Sequence, residues 1–196
     1  MFIEIRNALR PALLLLLFLA AITGLVYPAL VTVLAQIALP GQANGSLVGD
    51  HGRVIGSDLI AQGFASPRYI HPRPSAAGKG YDASSSSATN LAPGSKDLRD
   101  AIAGRVAQAR GQDKIVGTVP ADLVTSSASG LDPDLSPEAA LAQAARVAQA
   151  RTIPEAKVRA AIAASIEWPL FGIIGEPHVN VFKLNRQIDR ISSNPA

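Results

Sequence analysis

The sequence predicts an α+β protein in which one N-terminal transmembrane helix is followed by a single extracytoplasmic α+β domain. Three observations predict this fold class. Residues 12–39 carry no charge, residues 47–60 have the pattern of two short β segments around a turn, and four later segments carry apolar residues at helical spacing. The roughly 150 residues after the apolar stretch are enough to bury one hydrophobic core.

The uncharged stretch reads ALLLLLFLAAITGLVYPALVTVLAQIAL. It is longer than the about 20 apolar residues that cross a bilayer, and much longer than the about 7–15 of a cleaved signal peptide, which is the alternative. Arg6 and Arg10 precede it and the next charged residue is Asp50, so the positive-inside rule places the N-terminus in the cytoplasm. The predicted organisation is a cytoplasmic N-terminus (1–11), a transmembrane helix (12–39), a linker (40–46) and a periplasmic α+β domain (47–196).

The predicted span contains no ionisable residue. Ion pathways are lined by charges, carbonyls or water between several helices, so this helix cannot form one alone. Ala20 and Gly24 are four residues apart, a small-residue spacing that lets a second helix approach closely, although such residues are also common in spans by chance. The helix is therefore expected to dock against a partner helix, with Ala20 and Gly24 in the contact.

The domain begins with two β segments around a turn at Asp50–His51–Gly52. Residues 64–91 follow, a stretch rich in proline, glycine and serine with no apolar period. Loops of this length are usually functional or disordered. Because Tyr69, Ile70 and Tyr81 are embedded in it, we expect an ordered loop that docks on the domain.

Four amphipathic helices are predicted after this loop, each introduced by a capping residue or a proline. A short helical turn at 120–124 separates the first two. The predicted helices are 95–110 behind Ser95; 137–150 behind Ser136, with Pro137 first; a third behind Thr152 and Pro154, lined by Val158, Ile162 and Ile166; and a fourth behind Asn180, lined by Val181, Leu184, Ile188 and Ile191.

The string RVAQAR occurs twice, at 105–110 and 146–151. An internal duplication would also match the flanking residues, and these differ. The simpler interpretation is that arginine is favoured near the C-terminal ends of Ala-rich helices, where it complements the helix dipole.

Catalytic motifs are missing from the chain. There is no cysteine, which excludes thiolate chemistry and disulfides. The serine-rich stretch 124–140 lacks the G-x-S-x-G pattern that presents a nucleophilic serine, and the only Gly–Lys pair has Arg73 where a phosphate-binding loop needs glycine. The sequence therefore predicts no catalytic residue and no enzyme activity of the chain on its own.

Metal and nucleic-acid sites are not predicted either. The three histidines, His51, His71 and His178, have no ligand spacing, and Asp132 and Asp134 match only the start of a calcium loop. The net charge of +3 and an aromatic content of 5% do not suit nucleic-acid binding. We therefore expect no metal and no cofactor of the chain's own.

Four segments together form a pattern that is more particular than any of these motifs. The sequence closely resembles the C subunit family of the bacterial Kdp potassium-transporting P-type ATPase. One departure is Ser86–Ser87–Ala88, where the family usually has a glycine-rich turn. The matching segments are GSDLIAQGFASPRYIHPRPSA (56–76), YDASSSSATNL (81–91), VPADLVTSSASGLDPDLSPEAALAQAARVAQAR (119–151) and FGIIGEPHVNVFKLNRQID (171–189).

The resemblance implies a pump complex with a channel-like potassium-binding subunit, an ATP-hydrolysing P-type subunit and a very small membrane subunit. It implies that potassium and ATP are handled by the complex, that the C subunit is required for assembly and activity, and that it raises ATP affinity as a catalytic chaperone. The glutamine proposed as a nucleotide contact in that family matches Gln143. The charge-derived topology argues against direct contact, since it places the domain outside the cell, so an assembly role is the leading expectation.

Partner contacts are expected on the transmembrane helix, the long loop and the serine-rich stretch. Two alternatives stay open: a membrane-anchored periplasmic binding module for a solute or peptide that uses residues 64–91, and an anchored periplasmic enzyme that uses residues 124–140. The candidate contact residues are Ala20, Gly24, Tyr69, Arg73, Tyr81, Asp82, Asn90 and Asp132.

Overall fold

The computed structural model describes residues 2–50 and 52–193 and has the predicted α+β architecture. A long N-terminal helical region precedes a domain of helices and two small antiparallel sheets. The helices are α1 (Phe2–Ala21), α2 (Tyr27–Ala38), α3 (Pro40–Ala43), α4 (Lys96–Asp113), α5 (Pro137–Ala142), α6 (Ala144–Arg151), α7 (Glu155–Ala164) and α8 (Val181–Ser193). The strands are β1 (Leu47–Asp50), β2 (Arg53–Ser57), β3 (Asp134–Leu135), β4 (Ile166–Glu167) and β5 (His178–Asn180).

The N-terminal helix is long and apolar enough to cross a membrane. Over Ile3–Ala38 its most apolar window has a mean hydropathy of 2.4 and buries none of its residues against the domain. A π-helical turn, Ile22–Val26, joins α1 to α2, and the Tyr27 N–H bonds to the carbonyl of Ile22 five residues earlier. Pro28 follows directly; because proline has no N–H and crowds the carbonyl four residues before it, a wider turn at this position accommodates the ring.

The segment after α2 contains one helical turn, α3, within the stretch predicted as a linker. The predicted hairpin is confirmed: β1 pairs antiparallel with β2, although His51 lies outside the described residues. Two hydrogen bonds join the hairpin's far end to the segment after α3: Ser57 Oγ donates to the Gly45 carbonyl (2.7 Å) and the Asp58 N–H to the Ser46 carbonyl (3.2 Å).

The core of the domain lies between α5, α6, α7, α8 and a three-stranded sheet. This sheet has the order β3–β5–β4, with both pairs antiparallel. The sequence did not predict it, because strands of two or three residues are too short to show an alternating pattern. Fully buried apolar side chains from these elements include Leu135, Val147, Val158, Ile162, Val179, Leu184 and Ile188.

Three of the predicted helix starts are confirmed by side-chain caps. The Ser95 and Ser136 hydroxyls accept bonds from backbone N–H groups three residues later, at 3.2 and 3.3 Å, and the Asn180 carboxamide oxygen does the same at 3.1 Å. Pro137 is the first residue of α5, as predicted. The short helical turn is also present, as a 3₁₀ turn over Ala121–Leu123. Helix α4 continues to Asp113, three residues past its predicted end.

Three other helix predictions are wrong. The single helix over 137–150 is two helices, α5 and α6, with Gln143 between them at φ −91° and ψ −8°. Thr152 caps no helix: it adopts a left-handed φ of +55° and ends α6. Ile166 does not lie on α7, since that helix ends at Ala164 and Ile166 begins β4. An apolar residue at helical spacing also suits a strand that packs on the same core, so periodicity could not separate the two.

Candidate functional site

Residues 64–91, hereafter the docked loop, contain no helix or strand and lie against the helices, as the sequence predicts. Ile70 in its middle is completely buried in the core. A buried irregular segment must find partners for its backbone N–H and C=O groups. Side chains of α6, of α8 and of Gln143, which lies between α5 and α6, supply these partners.

Two buried carboxamides hold successive residues of the docked loop. Asn185 on α8 accepts from the Ile70 N–H and donates to the Ile70 carbonyl, both at 2.8 Å. Gln143 does the same for His71, accepting from its N–H at 2.8 Å and donating to its carbonyl at 3.0 Å. Both carboxamides are 1% exposed. Each carboxamide thus makes the two backbone hydrogen bonds that a residue of a neighbouring β-strand would otherwise make with this part of the loop.

Arg146 on α6 extends this contact to the preceding residues. Its guanidinium donates to the carbonyls of Pro67 (2.7 Å) and Tyr69 (2.9 Å) and to the Gln143 Oε1 atom (2.6 Å). It also forms an ion pair with Asp113 at the end of α4, and both side chains are less than a tenth exposed. One buried cation therefore joins three parts of the domain.

The arginines of both RVAQAR copies bind loop carbonyls. Arg151 donates to the carbonyl of Arg68, forms an ion pair with Asp189 at 2.8 Å, and lies 4.9 Å from the centroid of the Tyr69 ring. In the first copy Arg105 donates to the carbonyl of Val124 and Arg110 to that of Gly117. The helix-dipole interpretation was therefore incomplete, because these arginines donate to backbone carbonyls of neighbouring loops, and Arg146 and Arg151 also form ion pairs with aspartates.

Arg73 joins the docked loop to the segment before α5. Its guanidinium lies 3.1 Å from Asp132 Oδ2, donates to Thr125 Oγ1 at 3.3 Å, and lies 3.8 Å from Asp122 Oδ1. The Tyr81 hydroxyl donates to the Arg73 carbonyl at 2.9 Å. These groups are part-buried, so the cluster fixes the relative position of two long loops.

The serine-rich stretch that precedes α5 packs against the same loop. Gly130 has a left-handed φ of +68°, and a Cβ atom there would lie 2.7 Å from the Ala77 nitrogen. The Ser75 hydroxyl donates to the Gly130 carbonyl at 2.6 Å. The close approach of the two backbones explains why glycine is needed here, and it gives the stretch a structural role.

A cleft of about 390 Å³ lies between the docked loop and α4. Burial, followed by the nearby Arg146 cation, lowers the pKa of His71, so the imidazole is held neutral. Burial raises the pKa of Tyr81, which keeps its phenol protonated. The polar residues that line the cleft are His71, Tyr81, Arg105, Gln108, Gln112, Asp113 and Gln143.

The structure brings five of the nine candidate residues together around the docked loop: Tyr69, Arg73, Tyr81, Asp132 and Gln143. The other four lie elsewhere. Asp82 and Asn90 are on the exposed part of the loop, where hydrogen bonds from Ser84 lower the pKa of Asp82 and Asn90 adopts a φ of +52°. Ala20 and Gly24 are exposed on the apolar N-terminal helical region.

The sequence did not single out Arg146, Arg151 or Asn185. A signal for Asn185 was present, since it lies on the same face of α8 as the buried residues Val181 and Ile188. A polar residue within an apolar helical stripe needs a hydrogen-bond partner, and here the partner is the docked loop. Within residues 2–50 and 52–193 no three acidic or histidine side chains form a group that could hold a metal ion.

A family model and closely similar relatives all indicate the same family for this chain. The model of the family KdpC, described as K+-transporting ATPase, c chain, matches residues 9–190. The potassium-transporting ATPase KdpC subunit of Gemmatimonas aurantiaca is 50% identical over 186 residues, which is 94% of each chain. Those of Myxococcus xanthus (53% over 171 residues; 86% of this chain, 81% of the relative) and Caulobacter vibrioides (52% over 182 residues; 92% of each) are similarly close. The chain belongs to the KdpC family, the c chains of K+-transporting ATPases.

Proposed function

We propose that this chain is the non-catalytic accessory subunit of an ATP-driven, high-affinity potassium uptake pump, and that it is needed to assemble and stabilise the complex. The observation that carries the proposal is the family match over residues 9–190, with relatives about half identical over most of their length. Its proposed partners are a channel-like potassium-binding subunit, an ATP-hydrolysing P-type subunit and a very small membrane subunit.

The internal contacts of the domain support a scaffolding role. The polar side chains most suggestive of chemistry, Arg73, Asp132 and Gln143, form hydrogen bonds within the domain. A set of long loops held by buried polar side chains gives a rigid surface, and rigidity lowers the entropy lost when a partner binds.

We place the chain in the inner membrane as a single-pass protein, with residues 1–11 in the cytoplasm, 12–39 in the bilayer, 40–46 as a connector and 47–196 in the periplasm. Arg6 and Arg10 before the apolar helix support this orientation. In this arrangement the domain lies at the side from which potassium enters.

Deleting the chain is expected to abolish potassium-stimulated ATPase activity and to reduce recovery of the assembled pump from detergent extracts. The physical reason is that the other subunits lose the helix and the domain that hold them together. ATPase rates of membranes with and without the chain, and co-purification of the remaining subunits, measure both effects. Full activity without the chain would contradict the proposal. Stable accumulation of the chain alone, with the pump unaffected, would favour the solute-binding alternative.

A direct nucleotide contact that raises ATP affinity is a second candidate, favoured by the position of Gln143 on the 390 Å³ cleft. One observation and the proposed topology weigh against it. The Gln143 carboxamide is 1% exposed and is bonded to His71 and Arg146, and the proposed topology separates the cleft from cytoplasmic ATP.

Cysteine labelling tests this topology, because the natural chain has no cysteine. In spheroplasts we expect a membrane-impermeant maleimide to label a Val116→Cys variant, whose site is 97% exposed, and not an Asn7→Cys variant until the membrane is opened. Labelling of Val116→Cys only after opening would contradict the topology and make a nucleotide contact accessible.

A further inference from the structure

A second surface of the domain takes no part in holding the docked loop. Residues 168–174, hereafter the apolar tip, connect β4 to β5 and read Trp-Pro-Leu-Phe-Gly-Ile-Ile. Five of their large apolar side chains are mostly exposed: Trp168 (72%), Leu170 (61%), Phe171 (84%), Ile173 (83%) and Ile174 (61%). Contiguous apolar exposure of this kind marks an interaction surface.

The apolar tip is a formed hairpin. Leu170 and Ile174 exchange both backbone hydrogen bonds, at 3.0 and 3.1 Å, and the Gly172 N–H bonds to the Pro169 carbonyl at 2.9 Å. Phe171 takes a left-handed φ of +55°, a conformation that disfavours residues with a Cβ atom. The hairpin thus holds an aromatic ring outward at a cost in backbone energy, and such costs are typical of functional positions.

The base of the hairpin fixes its position on the domain. Glu167 pairs with His178 in the β4–β5 ladder, and β5 also pairs with β3. Lys183 on α8 donates to Glu167 at 3.0 Å. The tip is therefore presented on a sheet that belongs to the core, which reduces the entropy that its contacts lose on binding.

The charges around the tip indicate what it can contact. Residues 160–182 contain no lysine or arginine. Glu167 and Glu176 flank the tip, and Lys183, the next cation in the sequence, forms an ion pair with Glu167 at 3.0 Å, so the exposed Glu176 supplies the net negative charge beside the tip. Segments that insert into anionic membrane surfaces usually carry lysine or arginine beside their apolar residues, so this pattern disfavours lipid. A second copy of the chain is also disfavoured, because two tips that meet would bring like-charged glutamates together.

We propose that the apolar tip binds in an apolar pocket with a cationic rim, on the extracytoplasmic side of another subunit of the same pump. Phe171 and Ile173 fill the pocket, and the exposed Glu176 faces its rim. Large aromatic and aliphatic anchors surrounded by complementary charges are the usual centre of a protein–protein contact. This inference rests on the proposed function, because it takes its partner from the assembled pump.

A double variant, Phe171→Asp with Ile173→Asp, tests the contact in the full-length chain expressed with the other pump subunits. Recovery of those subunits with the tagged chain is expected to fall by at least about tenfold, the scale set by loss of one large buried apolar contact. Val116→Asp is the matched control, since Val116 is 97% exposed in another loop, and it should recover the subunits as the natural chain does. Phe171→Leu should keep most of the recovery.

Photo-crosslinking identifies the occupant. With benzoylphenylalanine at position 171, ultraviolet light is expected to produce an adduct with one pump subunit at an apolar segment, and the same group at position 116 should not. Adducts with lipid alone, or with a second copy of the chain, would overturn the inference. Unchanged recovery of the subunits by the double variant would overturn it while leaving the proposed function intact. If the natural chain recovers no pump subunit, the proposed function itself fails.

Discussion

Replacing Arg146 with methionine is expected to lower the free energy of unfolding of the domain by about 3–5 kcal/mol, the usual cost of removing one partner of a buried ion pair. The change leaves Asp113 as an uncompensated buried carboxylate and removes the donors that satisfy the carbonyls of Pro67 and Tyr69. Methionine keeps much of the apolar volume of the arginine stem, so the loss reports mainly on charge and hydrogen bonding. Guanidinium unfolding of the full-length chain in detergent, followed by circular dichroism, measures it.

Two further variants distinguish the effect of the unpaired buried charge on stability from a nonspecific loss of stability. Adding Asp113→Asn to Arg146→Met should recover part of the lost stability, because it removes the unpaired carboxylate. Arg159→Met breaks an exposed pair with Glu155, in which the side chains are 52% and 42% exposed, and should change stability by less than about 1 kcal/mol. If Arg146→Met unfolds at the same denaturant concentration as Arg159→Met, the buried pair does not stabilise the domain as inferred.

The elements that the sequence predicted correctly depend on neighbouring residues. Ser95, Ser136 and Asn180 each cap a helix by binding a backbone N–H only three residues later, so the pattern is visible in a short window. The apolar stretch at 12–39 can likewise be recognised from consecutive residues alone. The β1–β2 hairpin was predicted for the same reason, since β1 ends at Asp50 and β2 begins at Arg53, close to it in the sequence.

The contacts that hold the candidate site together are long-range, and the sequence could not specify them. Gln143 binds a residue 72 positions away and Asn185 one 115 positions away, so no local pattern reveals the pairing. The break at Gln143 was missed for the same reason: the sequence around it is alanine-rich and favours one continuous helix. The resemblance to a family identified Gln143 as a residue of interest, but its bonds to His71 were evident only from the structure.

Replacing Asn185 with leucine is expected to destabilise the domain by about 2–6 kcal/mol, because two buried backbone groups each lose their partner at about 1–3 kcal/mol apiece. The two side chains are similar in size, and the leucine would lie at a site that is 1% exposed, so a cavity or an overlap contributes little. The Ile70 N–H and carbonyl, now bonded at 2.8 Å, would lie buried without protein partners. Amide hydrogen exchange in the docked loop, measured by mass spectrometry, should rise around Ile70 before the helices exchange.

The control for this prediction is Gln149→Leu on α6, which places the same apolar side chain at an exposed amide and should leave exchange in the docked loop unchanged. Asn185→Asp keeps an acceptor for the Ile70 N–H but puts a buried carboxylate oxygen against the Ile70 carbonyl, and an unpaired buried charge costs more than unpaired neutral groups. The expected order of protection near Ile70 is natural chain, Asn185→Leu, Asn185→Asp. Equal protection in all three would mean that burial of Ile70 alone holds the loop and that the carboxamide contributes nothing. The predicted order would show that hydrogen bonding by Asn185 on α8 holds the docked loop in place, although the loop has no regular structure.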